Sequence, residues 1–419
     1  MPDTETKAPA PETQSEPSVP GRSEMVVMVA GLMALNALAI DIMLPALNQI
    51  AHDVGLTAEG VESDNRQQLI IFAYILGFGA PQLLWGPITD RFGRRGPLFV
   101  SLTGYILMAG LCVTLREFHA LLVARFIQGV FSSGARLVAV SVVRDLFAGR
   151  QMARFMSLVM TIFMIIPIVA PGVGQIILLV APWEWIFGAL VVFGILMLGW
   201  TWLRLPETLP ADQRRPLNLG NALGAYAQVV RTPITFGYMC ASGIVFGALF
   251  SFIASSEQVF REVFGRGEDF VLWFSGIAGM LAVANFTNSR LVEKIGMRRI
   301  SHAALLLFTG LSALSALITF SFGESLLWFY PLFILTFACF GLLGSNFSAL
   351  AMEPLGSIAG TASAAYGFAT TTVSSLIGML IGSQYNGSTI PLMIGFVCLG
   401  ASSLVIILIT EKGKLFSSR

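Results

Sequence analysis

The sequence predicts an all-α membrane protein: twelve transmembrane helices in two six-helix pseudo-symmetric bundles. Three observations predict it. The chain of 419 residues is 55% hydrophobic and only 12% charged, against about 25% charged for soluble globular chains. Its apolar residues gather into twelve runs, each near the roughly 20 residues a helix needs to cross the hydrocarbon core. A loop motif in the first half of the chain recurs, weakened, in the second.

The runs are 25–47, 67–87, 97–115, 119–142, 153–179 and 184–204, then 234–256, 269–290, 299–320, 326–350, 360–384 and 389–410. Residues 1–24 are rich in Pro, Glu, Ser and Thr and lack an apolar face, so they read as a disordered cytoplasmic tail. Acids rather than a basic segment precede the first run, and that run is too long for a signal-peptide core. The first helix is therefore expected to stay as an anchor. Residues 205–233 hold Pro206, Pro210, Pro216 and Pro233 with Arg214 and Arg215 and read as a cytoplasmic linker between bundles 25–204 and 234–410. Residues 411–419 form a second tail.

Short loops on one side collect nineteen of the 25 lysines and arginines, and those on the other side four. The positive-inside rule then places both termini and the linker in the cytoplasm. The count of helices gains support too, because an error of one would flip every later loop. That side is the basic end of the molecule.

The internal repeat lies in two loops. GPITDRFGRRG (86–96) follows the second run and SRLVEKIGMRR (289–299) follows the eighth. Asp90 aligns with Glu293, Gly93 with Gly296 and Arg95 with Arg298. Two six-helix halves in parallel repeat are a transporter plan, with substrate bound near mid-membrane between them. In the first loop Gly86 and Gly93 permit close approach and tight turning. Asp90 can accept hydrogen bonds or pair with Arg91, Arg94 or Arg95. Such a charge cluster, extended by Arg144 and Asp145, can latch one arrangement of the two halves at the basic end. The alternative is a turn with solvated charges.

Three charges lie deep inside apolar runs: Asp41, Arg125 and Arg136. Each costs about 2.5–3.5 kcal/mol at a helix centre on insertion scales, so a chain that keeps them uses them. Arg125, Gln128, Ser132 and Arg136 share one helix face by their spacing, which is expected to line a cavity or meet partner helices. Arg136 can snorkel outward, contact substrate, or pair with an acid such as Asp145. Asp41 is a carboxyl in a setting that disfavours its charged form; it either exchanges a proton or sits in a static ion pair, with Arg125 as one partner. Pro45 can kink the helix beside it. Pro167 and Pro171 let the fifth helix bend, and Gly172 and Gly174 allow close packing. Phe246, Phe250, Trp273, Asn346, Tyr366 and Thr370 are candidate lining residues of a broad apolar pocket in the second half.

These motifs carry a family resemblance. GPITDRFGRRG resembles the signature loop of the major facilitator superfamily, and RFIQG (125–129) its helix 4 motif. Pro167 with APGVG (170–174) resembles the helix 5 motif of its drug:proton antiporters. LAIDIMLPAL (38–47), VRDLF (143–147), LPETLP (205–210) and GTASA (360–364) resemble the bicyclomycin-resistance (Bcr/CflA) branch. The resemblance implies a multi-pass protein of the bacterial inner (plasma) membrane and links Arg125 to proton coupling.

The expected function is therefore proton-coupled export of small lipophilic or amphipathic drugs by alternating access. Export of one specific metabolite, such as a sugar, sulfur metabolite or siderophore, is the alternative. A non-transporting membrane sensor on the same scaffold is the third reading. The expected partners are the lipid bilayer, protons and a small-molecule substrate, with no nucleic acid, and the chain is expected to act as a monomer. An enzyme is not expected. The chain shows no nucleotide loop, and His52, His119 and His302 have no metal spacing, so neither cofactor nor metal is implied. The four cysteines, Cys112, Cys240, Cys339 and Cys398, are scattered singly and read as small core residues.

Overall fold

Runs without internal water partners must satisfy their own backbone, and a helix does so residue by residue. All twelve runs fold as helix in the computed structural model, which describes residues 20–56, 65–147, 149–214 and 219–416. Most of the tail expected to be disordered lies outside the described residues. The first span is α1 (Arg22–Asp41), a 3-10 turn at Leu44–Ala46, and α2 (Leu47–Asp53). The second is α3 (Gln68–Gly79) and α4 (Gln82–Phe92), bent by 43°. Then come α5 (Arg95–Thr114), α6 (Phe118–Leu146), α7 (Gly149–Phe163) with α8 (Ile166–Val180), and α9 (Glu184–Arg204).

A further helix, α10 (Leu219–Arg231), occupies the segment read from sequence as a linker. The second six follow: α11 (Pro233–Gln258), continued by a π turn Val259–Val263; α12 (Phe270–Ile295); α13 (Met297–Phe322); α14 (Leu326–Met352); α15 (Ala359–Phe368), a π turn Ala369–Val373 and α16 (Ser374–Gly382); and α17 (Ile390–Thr410). Among the described residues, eleven stretches are long and apolar enough to span a bilayer and the bent pair makes a twelfth.

Local chemistry explains the ends. The Glu117 carboxylate caps α6 by accepting from the His119 and Ala120 amides, and Ser325 caps α14 through the Leu327 amide. Gly93 (φ +84°) and Gly296 (φ +92°) turn the chain at the repeated loop, where a side chain would be strained. Within the first half α6 packs on α1, α3 and α5, and α9 on α5. In the second, α14 packs on α11, α12 and α13, and α17 on α11 and α13. Phenylalanines fill the latter core; the Phe252 ring lies 4.6 Å from Phe333 and 4.7 Å from Phe337.

The halves meet along two main seams, with a smaller contact between the 3-10 turn after α1 and α11. One sets α3 and α4 against α15, the second π turn and α16; the other sets α8 against α12. Gly79 abuts Thr372, Gly367 abuts the Gln82 amide, and Gly382 abuts the Gln68 amide, so glycines bring the seam close. At the end opposite the basic one, Gln68 Nε2 donates to Gln258 Oε1 at 2.9 Å. Gln258 Nε2 donates to Asn65 Oδ1 at 3.1 Å, and Asn65 Nδ2 to the Tyr385 carbonyl at 2.7 Å.

Candidate functional site

Asp41 is the last residue of α1 and is only 5% exposed. The α-helical hydrogen-bond ladder lapses after Ile42, although Ile42 and Met43 keep right-handed helical dihedrals, and Pro45, in the 3-10 turn that follows, has no amide hydrogen to restore it. A helix C-terminus carries negative partial charge, so the fold offers this carboxylate no compensation from its own helix. Among the described residues no hydrogen bond or ion pair reaches it either. The static pair with Arg125 that the sequence left open does not form.

Arg125 is wholly buried yet has no acidic partner among the described residues. Its Nη2 donates to the Ala39 carbonyl at 2.9 Å, its Nη1 to Gln128 Oε1 at 2.8 Å, and its Nε to the Ile70 carbonyl at 3.4 Å. The guanidinium lies over the Tyr74 ring, 4.4 Å from its centroid. The Ala39 carbonyl near the C-terminal end of α1, the Ile70 carbonyl and the Gln128 amide oxygen thus take the place of a counter-ion. The break in the first span, the buried carboxyl and the buried guanidinium form one unit. Gly174 of α8 completes it: a Cβ there would strike the Ile42 carbonyl, just past Asp41. Pro167 lies in the first turn of α8, after a break at Met164 and Ile165, and Pro171 lies inside that helix. Gly172 faces α12 instead, with Val271 3.7 Å from a notional Cβ.

The rest of the helix 4 stripe divides. Gln128 and Ser132 are buried inside the first half; Ser132 accepts from the Tyr74 hydroxyl at 2.7 Å, and Gln128 Nε2 has no partner. They line no space between the halves, contrary to the cavity reading. Arg136 is partly exposed and lies 5.6 Å over the Phe78 ring.

The other cavity candidates also scatter. Asn346 donates to Asn288 Oδ1 at 2.8 Å within the second half. Phe246 packs on Phe340 and Phe250 lies beside Gly378, both partly exposed on the second half. Trp273 sits in an aromatic cluster with Phe260 and Tyr330, its indole N–H unpartnered. Tyr366 shares a 2.8 Å hydrogen bond with Ser242, and Thr370 bonds back to the Tyr366 carbonyl. A wholly apolar cavity of about 380 Å³ lies between α10, α11 and α15, and none of these candidates lines it. The seam glutamines Gln68, Gln82 and Gln258 escaped the sequence reading, although polar amides inside apolar runs were the signal for them.

At the basic end, Arg94 is the hub. It is 2% exposed, donates from Nε to Asp145 Oδ2 and from Nη1 to Asp90 Oδ1, both at 2.8 Å, and reaches Thr89 at 3.1 Å. Glu207 accepts from the Arg94 amide at 2.8 Å and the Arg95 amide at 3.2 Å, lying against Gly93 where a Cβ would collide with it. Arg95 donates to the Trp202 carbonyl, while Arg91 and Arg144 are exposed. A Cβ on Gly86 would meet nothing within 4 Å, so close approach does not explain that glycine. All of these contacts stay within the first half and the segment after α9, so the cluster braces one half rather than bridging two. In the second half Arg298 plays the hub, with Glu411 at 2.9 Å and Glu353 at 3.1 Å. Its counterpart is thus Arg94 and not Arg95, because α13 starts one residue closer to its glycine than α5 does.

Comparisons with known proteins agree with this architecture. The model of the Major Facilitator Superfamily matches residues 29–379. The chain is 30% identical over 367 residues to "Uncharacterized MFS-type transporter YdgK" of Bacillus subtilis, covering 86% of this chain and 89% of that one. It is 29% identical over 398 residues to "Bicyclomycin resistance protein homolog" of Haemophilus influenzae, covering 92% and 96%. "Multidrug resistance protein MdtL" of Salmonella heidelberg is 28% identical, over 87% of this chain and 90% of its own. Among solved structures, the partially occluded inward-open xylose transporter XylE from E. coli superposes with a TM-score of 0.71 at 13% identity, covering 92% of this chain and 98% of that one.

Proposed function

The chain belongs to the Major Facilitator Superfamily, and from that premise we propose that this multi-pass transporter is a proton-coupled antiporter exporting small lipophilic or amphipathic compounds. The observation that carries the reading is Asp41: an intramembrane carboxyl at a helix break, with no hydrogen bond or ion pair among the described residues. Such a group has nothing to hold it ionised, and it changes charge by taking or losing one proton. Protonation from the outer side neutralises it and release toward the cytoplasm restores the charge. That cycle drives substrate outward if the two shapes bind substrate in alternate protonation states. Arg125 ties the broken end of α1 to α6, so a change at Asp41 reaches the bundle. The names of two relatives, a bicyclomycin resistance homologue and a multidrug resistance protein, support a drug-like substrate. The basic bias of the loops supports an inner membrane with both termini cytoplasmic.

The test is uptake into inverted membrane vesicles driven by a pH gradient, with a chemically varied ligand panel. Asp41→Asn is expected to abolish gradient-driven uptake while leaving ligand binding within about threefold. Wild-type transport by that variant across the pH range would overturn the reading. Activity on a single compound of the panel would favour a specific metabolite instead.

A further inference from the structure

Arg136 is a permanent cation in the middle of an apolar helix. Its face of α6 is otherwise sealed: Arg125 is 0% exposed, Ser132 1% and Val143 0%. The opposite flank of the same helix is marked by Val123 at 58% and Phe126 at 41%, the side turned to lipid. At 3.6 residues per turn Arg136 lies almost in line with Arg125, three turns away. Its partial exposure is therefore turned away from the flank that Val123 and Phe126 mark.

The ring that Arg136 stacks on adjoins the seam. Arg136 stacks on Phe78, whose carbonyl accepts from Gln82 Nε2 at 3.5 Å. Gln82 also reaches Thr371 of the second half at 3.4 Å, and the next residue, Gly79, abuts Thr372. Thr372 Oγ1 is buried without a partner. Asp145, the acid on the same helix, is held by Arg94, and among the described residues no acid forms an ion pair with Arg136. Among the described residues the guanidinium has an aromatic face and no hydrogen-bond acceptor at all.

We infer that Arg136 and Phe78 form the recognition point for an anionic group on the transported compound, which is an amphipath with a carboxylate or a similar oxyanion on an apolar body. The inference rests on the exporter reading and names its substrate class. A guanidinium fork pairs with a carboxylate through two parallel hydrogen bonds, and Phe78 orients the fork from behind. Apolar surface around the seam takes the body of the ligand.

Binding by the purified full-length protein in detergent tests this without any gradient. The probes are 2-naphthylacetate, its neutral amide, and 2-naphthylethylamine, measured by isothermal titration. The wild type is expected to bind the carboxylate at least about tenfold tighter than the amide or the amine, as a charged hydrogen bond implies. R136Q is expected to erase that preference while leaving the amide within about threefold, and R136K to keep part of it. Equal wild-type affinities, no binding of any probe, or a proportional loss of all three in R136Q would overturn the inference. The wild-type comparison needs no variant, so misfolding of R136Q does not obscure the answer. Loss of gradient-driven transport with the preference intact would sink the exporter reading and leave this one standing.

Discussion

At the scale of single residues, Asp41 and Arg125 were legible in the sequence because charge in an apolar run is conspicuous. Their relation was not legible. An Asp and an Arg in neighbouring spans suggest a pair, yet the guanidinium bonds the Ala39 carbonyl and Gln128 instead. The Ala39 carbonyl is open to it because the α1 ladder lapses after Ile42, and spacing alone does not locate that break. Arg125 should therefore act as a helix-end clamp with a planar fork. Arg125→Lys is expected to lose most transport, since one ammonium cannot serve Ala39, Gln128 and the Tyr74 face together. Arg125→Met should add a fall in melting temperature of several degrees, because it leaves buried neutral acceptors without their donor at about 1–3 kcal/mol each. Rescue by lysine to wild-type transport would show that charge alone matters there.

At the scale of elements, span positions were legible to within a few residues because runs of about 20 apolar residues have one solution in lipid. The breaks were only partly legible. Pro167 and Pro171 announced a bend, and the structure puts it at Met164 and Ile165, where Pro167 begins a new helix. The linker helix α10 was missed because Gly220 and Gly224 dilute its helical signal and prolines flank it. Its Tyr226 and Val229, three apart, pack on the second half, and the Tyr226 hydroxyl donates to the Leu83 carbonyl at 2.9 Å. Gly174 and Gly172 look alike in sequence and differ in place. Gly174→Val should force α8 off the break at Ile42, costing about 1–3 kcal/mol as overpacking does, with transport lost. Gly172→Ala should leave both melting temperature and transport near wild type, its nearest neighbour being 3.7 Å from the new carbon. A thermal melt and a transport assay of the two variants decide it; equal damage would contradict the placement of α8.

At the scale of the whole molecule, the repeat was legible at its loops, and the pseudo-symmetry extends to the braces: Arg94 with Asp145 and Glu207, Arg298 with Glu353 and Glu411. Burial pulls the Glu411 carboxyl upward, but hydrogen bonds from Arg298 and Tyr238 outweigh it and hold the group below its usual value of 4.5. A depressed carboxylate contributes stability that is complete above pH 4.5 and is lost as pH falls through the folded value. Glu411→Gln should thus flatten the decline of melting temperature below that pH; an unchanged profile would place the acid sensitivity elsewhere. The seam opposite the basic end was the least legible part, because which amides face each other depends on how two bundles dock. There Gln258 bonds both Gln68 and Asn65, tying the second half to the first. A molecule that rocks must break this tie to open that end. Gln258→Leu keeps the volume and removes two hydrogen bonds, worth about 0.5–1.5 kcal/mol each. Spin labels at the exposed His52 and Asn386, one per half at that end, report its opening. The variant should raise the long-distance population by about fivefold or more. An unaltered distance distribution would mean that the halves are held there by packing alone, and that the amides merely satisfy one another.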